Sequence, residues 1–341
     1  MTMFKSLFWY IICLATANGF VHTPFKSMKR SQLTMSDASF LNDGHEEFKA
    51  KVALRGLRSE RFRHPIDRQA TAQLQRIPGL EQIIRQGSPL VEEAVFLENI
   101  STSILVGPKQ MSSLHGMLME ACRILDIKDP PQLYVKQNPV PNAYTMAIQG
   151  KKPFIVVHTS LIELMTPAEI QAVLAHELGH IKCEHGLWLS AANLITLGLL
   201  ALGGLPGQLA AEALGQLVLP WQRAAEFSCD RAALLVAQDP EVVISTMLKL
   251  VGGVGASSLG EMGSLSAEEF LKQAEEYNRA SNSPVGRMMR DSQQQTLTHP
   301  LPVIRAQELA KWSKSPEYKG LMRRGTPIAD ESDSSQTLSS S

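Results

Sequence analysis

With 341 residues, 44% of them hydrophobic, the chain is long enough for one large domain or two modest ones and has ample apolar content for a core. Its 33 basic and 33 acidic side chains cancel to a formal net charge of zero, which leaves no electrostatic footprint for a nucleic-acid partner. The four cysteines, Cys13, Cys122, Cys183 and Cys229, show neither C-x-x-C pairing nor the density of a disulfide scaffold, so they read as free thiols.

Residues 1–19 carry one lysine, Lys5, then the apolar run Leu7 to Ala15, then Ala15-Thr16-Ala17 as a cleavage site. This is the pattern of a secretory signal, too short to span a membrane. From 20 to 39 the chain is basic and rich in hydroxyl residues, with no acid before Asp37, as in an organelle transit peptide. The order signal-then-transit, with Phe20 after the cut, resembles the bipartite presequences of algae with secondary plastids and implies a plastid destination; a secreted or endomembrane protein with a pro-segment is the alternative. A charged lead-in, 40–63, follows, and His64-Pro65 opens the ordered part.

Apolar residues repeat at helical spacing from Ile66 to Arg85, with a break at Pro78-Gly79, and again from Met111 to Leu125. Glu93 to Val106 is undecided between helix and short strand. Three short strands are expected over Gln132 to Lys136, Ala143 to Ile148 and Pro153 to His158.

The next helix is well marked: Thr166 at the N-cap, Pro167 at the first position, Glu169 three residues after the cap, then Ile170, Val173, Leu174, Leu178 and Ile181 as a buried stripe. Inside it lies His176-Glu177-Leu178-Gly179-His180. The two histidines, one turn apart, can hold a single zinc ion, and Glu177 can then act as a base toward a water acidified by the metal. Ala172, Ala175 and Gly179 allow close approach to a neighbouring element. The reaction implied is peptide-bond hydrolysis, with a protein or peptide as substrate. In zinc peptidases of this kind a sheet edge pairs with the substrate, and Asn142, Ala143 and Tyr144 would be the part of that edge nearest the metal.

Leu187 to Leu205 carries no charge, and Gln208 to Trp221 has only Glu212. The segment 187–221 is therefore a hydrophobic insertion, either associated with a membrane or packed as a helical hairpin over the active site. Beyond it, Glu226 and Asp230 are again one turn apart. One helical face can present a metal-binding carboxylate and, a turn later, a carboxylate that accepts the free N–H of a liganding histidine.

H-E-x-x-H followed, after a hydrophobic insertion, by E-x-x-x-D resembles the metallopeptidase family of the CAAX prenyl protease and the bacterial protease HtpX. The likeness covers roughly Asn138 to Leu309. Asn142-Ala143-Tyr144, the H-x-x-x-x-H extension to His185, and Thr298-His299-Pro300 extend the match. The resemblance implies zinc on His176, His180 and Glu226, Glu177 as the base and Asp230 behind a ligand. It also implies a catalytic or switching role for His299. A single uncertain apolar segment is fewer than the membrane members carry, which speaks against prenyl-protein processing.

Cys183 and Cys122 read as core thiols. The C-terminal part is helical over Glu241 to Val254 and Ser266 to Asn278, joined by a Gly/Ser link from Ala256 to Gly263, and 325–341 is a polar, serine-rich tail. The expected fold is α+β and mostly helical: a zincin-type (gluzincin) catalytic domain over 64–324 with a small sheet, acting as a zinc endopeptidase. An inactive zinc-bearing adaptor is one rival. A deformylase-type zinc hydrolase, needing Cys122 at the metal, is the other.

Overall fold

The computed structural model describes residues 51–85, 89–146, 152–255, 265–297 and 299–328. The signal, the transit-like segment, the lead-in up to residue 50, the Gly/Ser link, Thr298 and the tail beyond 328 lie outside the described residues. Val52–Thr326 form one compact unit, which contains every element discussed below except Pro327; of the second unit, made of the two ends of the chain, Lys51, Pro327 and Ile328 are described.

Order begins ahead of His64. Val52–Ala53 (β1) is a short strand, Ser59–Arg61 a 3-10 turn, and Leu54, Leu57 and Phe62 are buried. Leu54 N donates to Ile124 O at 3.0 Å, so part of the expected lead-in is core. Pro65–Gln75 (α1) and Leu80–Arg85 (α2) follow, parted at Gly79, whose φ of 77° suits glycine. The undecided stretch is both things at once: Pro89–Thr102 (α3) is helix and Ser103–Val106 (β2) is strand. Ser112–Ile124 (α4) buries Leu114, Leu118, Ala121, Cys122 and Ile124 on one face.

Gln132–Lys136 (β3), Ala143–Met146 (β4) and Phe154–His158 (β5) join β2 in a mixed sheet of order β2-β3-β5-β4. β5 is buried along its whole length, as befits a strand with neighbours on both sides, and pairs parallel with β3 and antiparallel with β4. β4 is an edge strand. Successive side chains alternate between faces, so Thr145 turns to one face while Tyr144 and Met146 pack on the cluster of Tyr134, Phe154 and Val156 on the other.

After Thr159–Leu164 (α5), the marked helix runs Pro167–Lys182 (α6). Its capping box is complete: Glu169 N donates to Thr166 Oγ1 and Thr166 N to Glu169 Oε2. Glu169 also receives Lys249 Nζ at 2.6 Å and Ser245 Oγ at 2.6 Å from Pro240–Gly252 (α9), so the cap ties two helices together.

His185–Ala201 (α7) and Gly204–Ala237 (α8) form a hairpin that turns at Gly203 and Gly204, both at positive φ. Gly207 lets the arms close, because a Cβ there would stand 2.5 Å from Leu199 O. The base is core: Trp188, Ala191 and Trp221 are buried with Leu80, and Ala70 and Leu74 pack alongside. Toward the turn the hairpin exposes Leu197, Leu200, Leu202, Leu205 and Leu209. No helix of the described residues is long and apolar enough to cross a membrane. Ala267–Ser281 (α10), Pro284–Thr296 (α11), Pro302–Ser313 (α12) and Pro316–Arg324 (α13) complete the helices among the described residues. Thr326–Pro327 (β6) is strand where a tail was expected, and Thr326 Oγ1 donates to Ala53 O at 3.3 Å.

Candidate metal centre

α6 and α8 lie against each other through Gly179, where a Cβ would stand 3.0 Å from both Ala232 Cβ and Cys229 Cα. That contact brings the two i, i+4 pairs face to face. His176 Nε2 lies 3.4 Å from Glu226 Oε2 and His180 Nε2 lies 3.5 Å from Glu226 Oε1, so one buried carboxylate faces both rings. Burial alone would raise the Glu226 carboxyl, but the charge of His299 and hydrogen bonds from His176 and His180 hold it well below the usual carboxylate range.

Each ring is also held from behind. Asp230 Oδ1 lies 3.1 Å from His176 Nδ1, and Asp230 is itself gripped by Arg305, Nη2 to Oδ1 at 2.6 Å and Nε to Oδ2 at 2.9 Å. Burial works against protonating His176, yet its bonds to Asp230 and Glu226 outweigh it and push the imidazole up to about 10. His180 Nδ1 lies 3.1 Å from His185 Nδ1. Arg305 did not stand out in the sequence, though a signal was there: it shares a helical face with Leu309 and Trp312, both buried, and a cation on a core stripe calls for a carboxylate partner.

Glu177 is buried beside His176, and Thr145 Oγ1 lies 2.7 Å from its Oε2 and 3.2 Å from its main-chain oxygen. The edge residue that meets the carboxylate is therefore Thr145. Ala143 shares its face; Tyr144 turns away, its ring edge-on to His158 at 6.1 Å; Asn142 ends the ladder by accepting from His158 N at 2.9 Å. His299 Nδ1 stands 2.9 Å from Glu226 Oε2 with the side chain 36% exposed, and Leu297 O in the same segment accepts from Arg223 Nη1 of α8 at 3.3 Å.

The Cys229 thiol also lies within 4.8 Å of ring nitrogens of His176 and His180. Burial raises it well above the ordinary thiol range, and it sits 3.6 Å from His185 Nδ1, so it stays a protonated neighbour. Cys183 is raised by burial too. Cys122, which the deformylase-type alternative requires at the metal, is a core residue of α4 whose thiol burial pushes up to about 12.

Two imidazole nitrogens and a carboxylate form a donor set suited to zinc. Donors about 2.0–2.1 Å from a tetrahedral ion stand about 3.4 Å apart, close to the separation of His176 Nε2 from Glu226 Oε2 and of His180 Nε2 from the other oxygen, Oε1.

Against known proteins, the model of Peptidase family M48 matches residues 108–313. The chain is 54% identical over 275 residues to plastoglobule-localized metallopeptidase 48, chloroplastic, of Arabidopsis thaliana, covering 80% of this chain and 78% of that protein. It is 30% identical over 172 residues to protease HtpX homolog 2 of Methanosarcina acetivorans, covering 43% of this chain and 58% of the relative. Among solved structures, S. mikatae Ste24p is similar with a TM-score of 0.38 at 16% identity, over 64% of this chain and 54% of that one.

Proposed function

The chain belongs to peptidase family M48, and from that premise we propose that His176, His180 and Glu226 hold one zinc ion, beside which Glu177 is the general base of peptide-bond hydrolysis. It is a metal-dependent peptidase, a hydrolase of protein substrates. The observation that carries the ligand assignment is the Glu226 carboxylate facing Nε2 of both histidines.

Zinc held there supplies a Lewis acid that polarises the scissile carbonyl and brings the pKa of water to about 7. Glu177 takes the proton of the attacking water and passes it to the leaving amine. Thr145 fixes which way the Glu177 carboxylate turns. An extended substrate segment pairs by main-chain hydrogen bonds along the outer edge of β4, where Ala143 turns its backbone groups outward between Asn142 and Tyr144, whose own groups face β5. Asp230 orients His176, and His299, at the exposed side of the centre, donates to the oxyanion as it develops.

For location, we propose a plastid, with the protein resting on a lipid surface through the exposed leucines of the α7–α8 hairpin. The presequence pattern and the chloroplast name of the Arabidopsis relative support the first part, and the uncharged hairpin end supports the second.

Metal analysis combined with a peptide-cleavage assay on purified protein tests the catalytic reading. One zinc per chain is expected, and Glu177→Gln should keep it while losing about 10²–10⁴-fold in turnover. Near-normal cleavage by that variant would sink the mechanism.

A further inference from the structure

Asp67 lies on α1, ahead of the residues 108–313 that the family model matches, yet it stands behind the metal centre. We infer that His185 and Asp67 are positioning residues that hold His180 in its metal-binding orientation, so that α1 completes a centre whose ligands come from α6 and α8. The inference rests on the zinc assignment above.

Its basis is a chain of three groups with one consistent placement of hydrogens. His180 turns Nε2 to Glu226 and sets Nδ1 3.1 Å from His185 Nδ1, with the rings 5.1 Å apart and nearly perpendicular at 77°. His185 Nε2 then lies 3.1 Å from Asp67 Oδ2. Two ring nitrogens in hydrogen-bond contact share a single hydrogen. A liganding His180 keeps the Nε2 lone pair for the metal and carries its hydrogen on Nδ1. His185 Nδ1 therefore accepts, its own hydrogen sits on Nε2, and that hydrogen goes to Asp67. Cys229 Sγ, 3.6 Å from the same Nδ1, is the weaker donor to it.

This is for His180 what Asp230 is for His176. A liganding imidazole ordinarily donates its second N–H to a carboxylate or carbonyl, which fixes the ring and strengthens it as a ligand. At His180 Nδ1 the partner among the described residues is His185 rather than a carboxylate, and His185 carries the influence of Asp67 across the gap.

Asp67 is built for that duty. It is fully buried and accepts Ser228 Oγ at 2.7 Å, Trp221 Nε1 at 3.0 Å and Thr71 Oγ1 at 3.2 Å, with Arg63 Nη1 at 3.6 Å. Asp67, Cys183 and His185 place their donor atoms within 4.8 Å of one another, but a carboxylate already saturated by these partners has no oxygen left for a second metal.

A buried His–Asp pair that merely staples α1 to the hairpin would give the same contacts, so the test reads metal affinity apart from stability. On the full chain, zinc affinity is measured by competition with a chromogenic chelator, and the visible spectrum is recorded after Co2+ substitution. His185→Ala and Asp67→Asn should weaken zinc by about 10–100-fold and change the cobalt bands, while circular dichroism stays native. His185→Gln, whose amide oxygen can accept from His180, should recover part of the affinity. Thr71→Val, which removes a different partner of Asp67, should lower the melting temperature without moving the affinity. A folded His185→Ala protein with unchanged zinc affinity and cobalt spectrum overturns the inference, as does an equal loss in Thr71→Val. If Asp67→Asn fails to fold, the two His185 variants decide. An unaltered chain that binds no zinc overturns the metal assignment itself, and this inference with it.

Discussion

Thr145 has one hydroxyl hydrogen and two acceptors on Glu177, and the carboxylate oxygen at 2.7 Å is closer than the carbonyl at 3.2 Å. The hydrogen therefore steadies the Glu177 carboxylate, and with Glu177 as the proposed base the cost of losing it falls on turnover. Thr145→Val should lower kcat with little change in KM, and Thr145→Ser should restore most of it; a purely KM effect would place Thr145 in substrate binding alone. Glu226→Ala should release zinc, whereas Asp230→Ala should weaken it more gently, by about 10–100-fold. Stoichiometric zinc in the Glu226 variant, by elemental analysis, would put the third ligand elsewhere. The residues of these pairs were legible in the sequence because each pair is local: i and i+4 share a helical face wherever the helix lies. Thr145, Arg305 and Asp67 were not, since each meets its partner only through the tertiary fold.

At the level of elements, the interface of α6 with α8 decides whether the proposed ligands meet. Gly179 is the residue next to His180, and its missing side chain allows the approach that brings Glu226 within reach. Gly179→Ala puts a Cβ 3.0 Å from Cys229 Cα and Ala232 Cβ, tight enough that the helices must part by a few tenths of an ångström, and should destabilise by about 1–3 kcal/mol. It should also lower zinc affinity, since spreading the helices lengthens the ligand triangle. Chemical denaturation and chelator competition on the same variant check both effects, and a variant that loses neither would mean the helices slide past the added methyl. The close approach could be anticipated from Ala172, Ala175 and Gly179, and so could the capping box. That Glu93 to Val106 divides into α3 and β2 could not: β2 pairs with β3, more than twenty residues on in sequence, and that pairing rather than local propensity makes Ser103–Val106 a strand.

Across the whole molecule, the 187–221 segment turns out to be two things joined end to end. Near its base, Trp188 and Trp221 are core; at its turn, Leu202 and Leu205 are 78% and 66% exposed. Composition alone could not divide it so, because an apolar run reads alike whether it meets protein or lipid. The lipid contact proposed for the hairpin is a surface-lying wedge made of the leucines exposed at its turn. Each leucine moved out of water contributes about 1.5–3 kcal/mol when fully buried, so a few inserted side chains suffice for reversible attachment. Purified protein should float with lipid vesicles in a density gradient and be stripped from them by alkaline carbonate. Replacing Leu202 and Leu205 with lysine should abolish flotation and leave cleavage of a soluble peptide intact, since both residues lie at the hairpin turn, away from the ligand-bearing end of α8. Flotation that survives the double replacement would mean that lipid is held by another surface. Retention through carbonate would mean an inserted segment, against the surface wedge argued here.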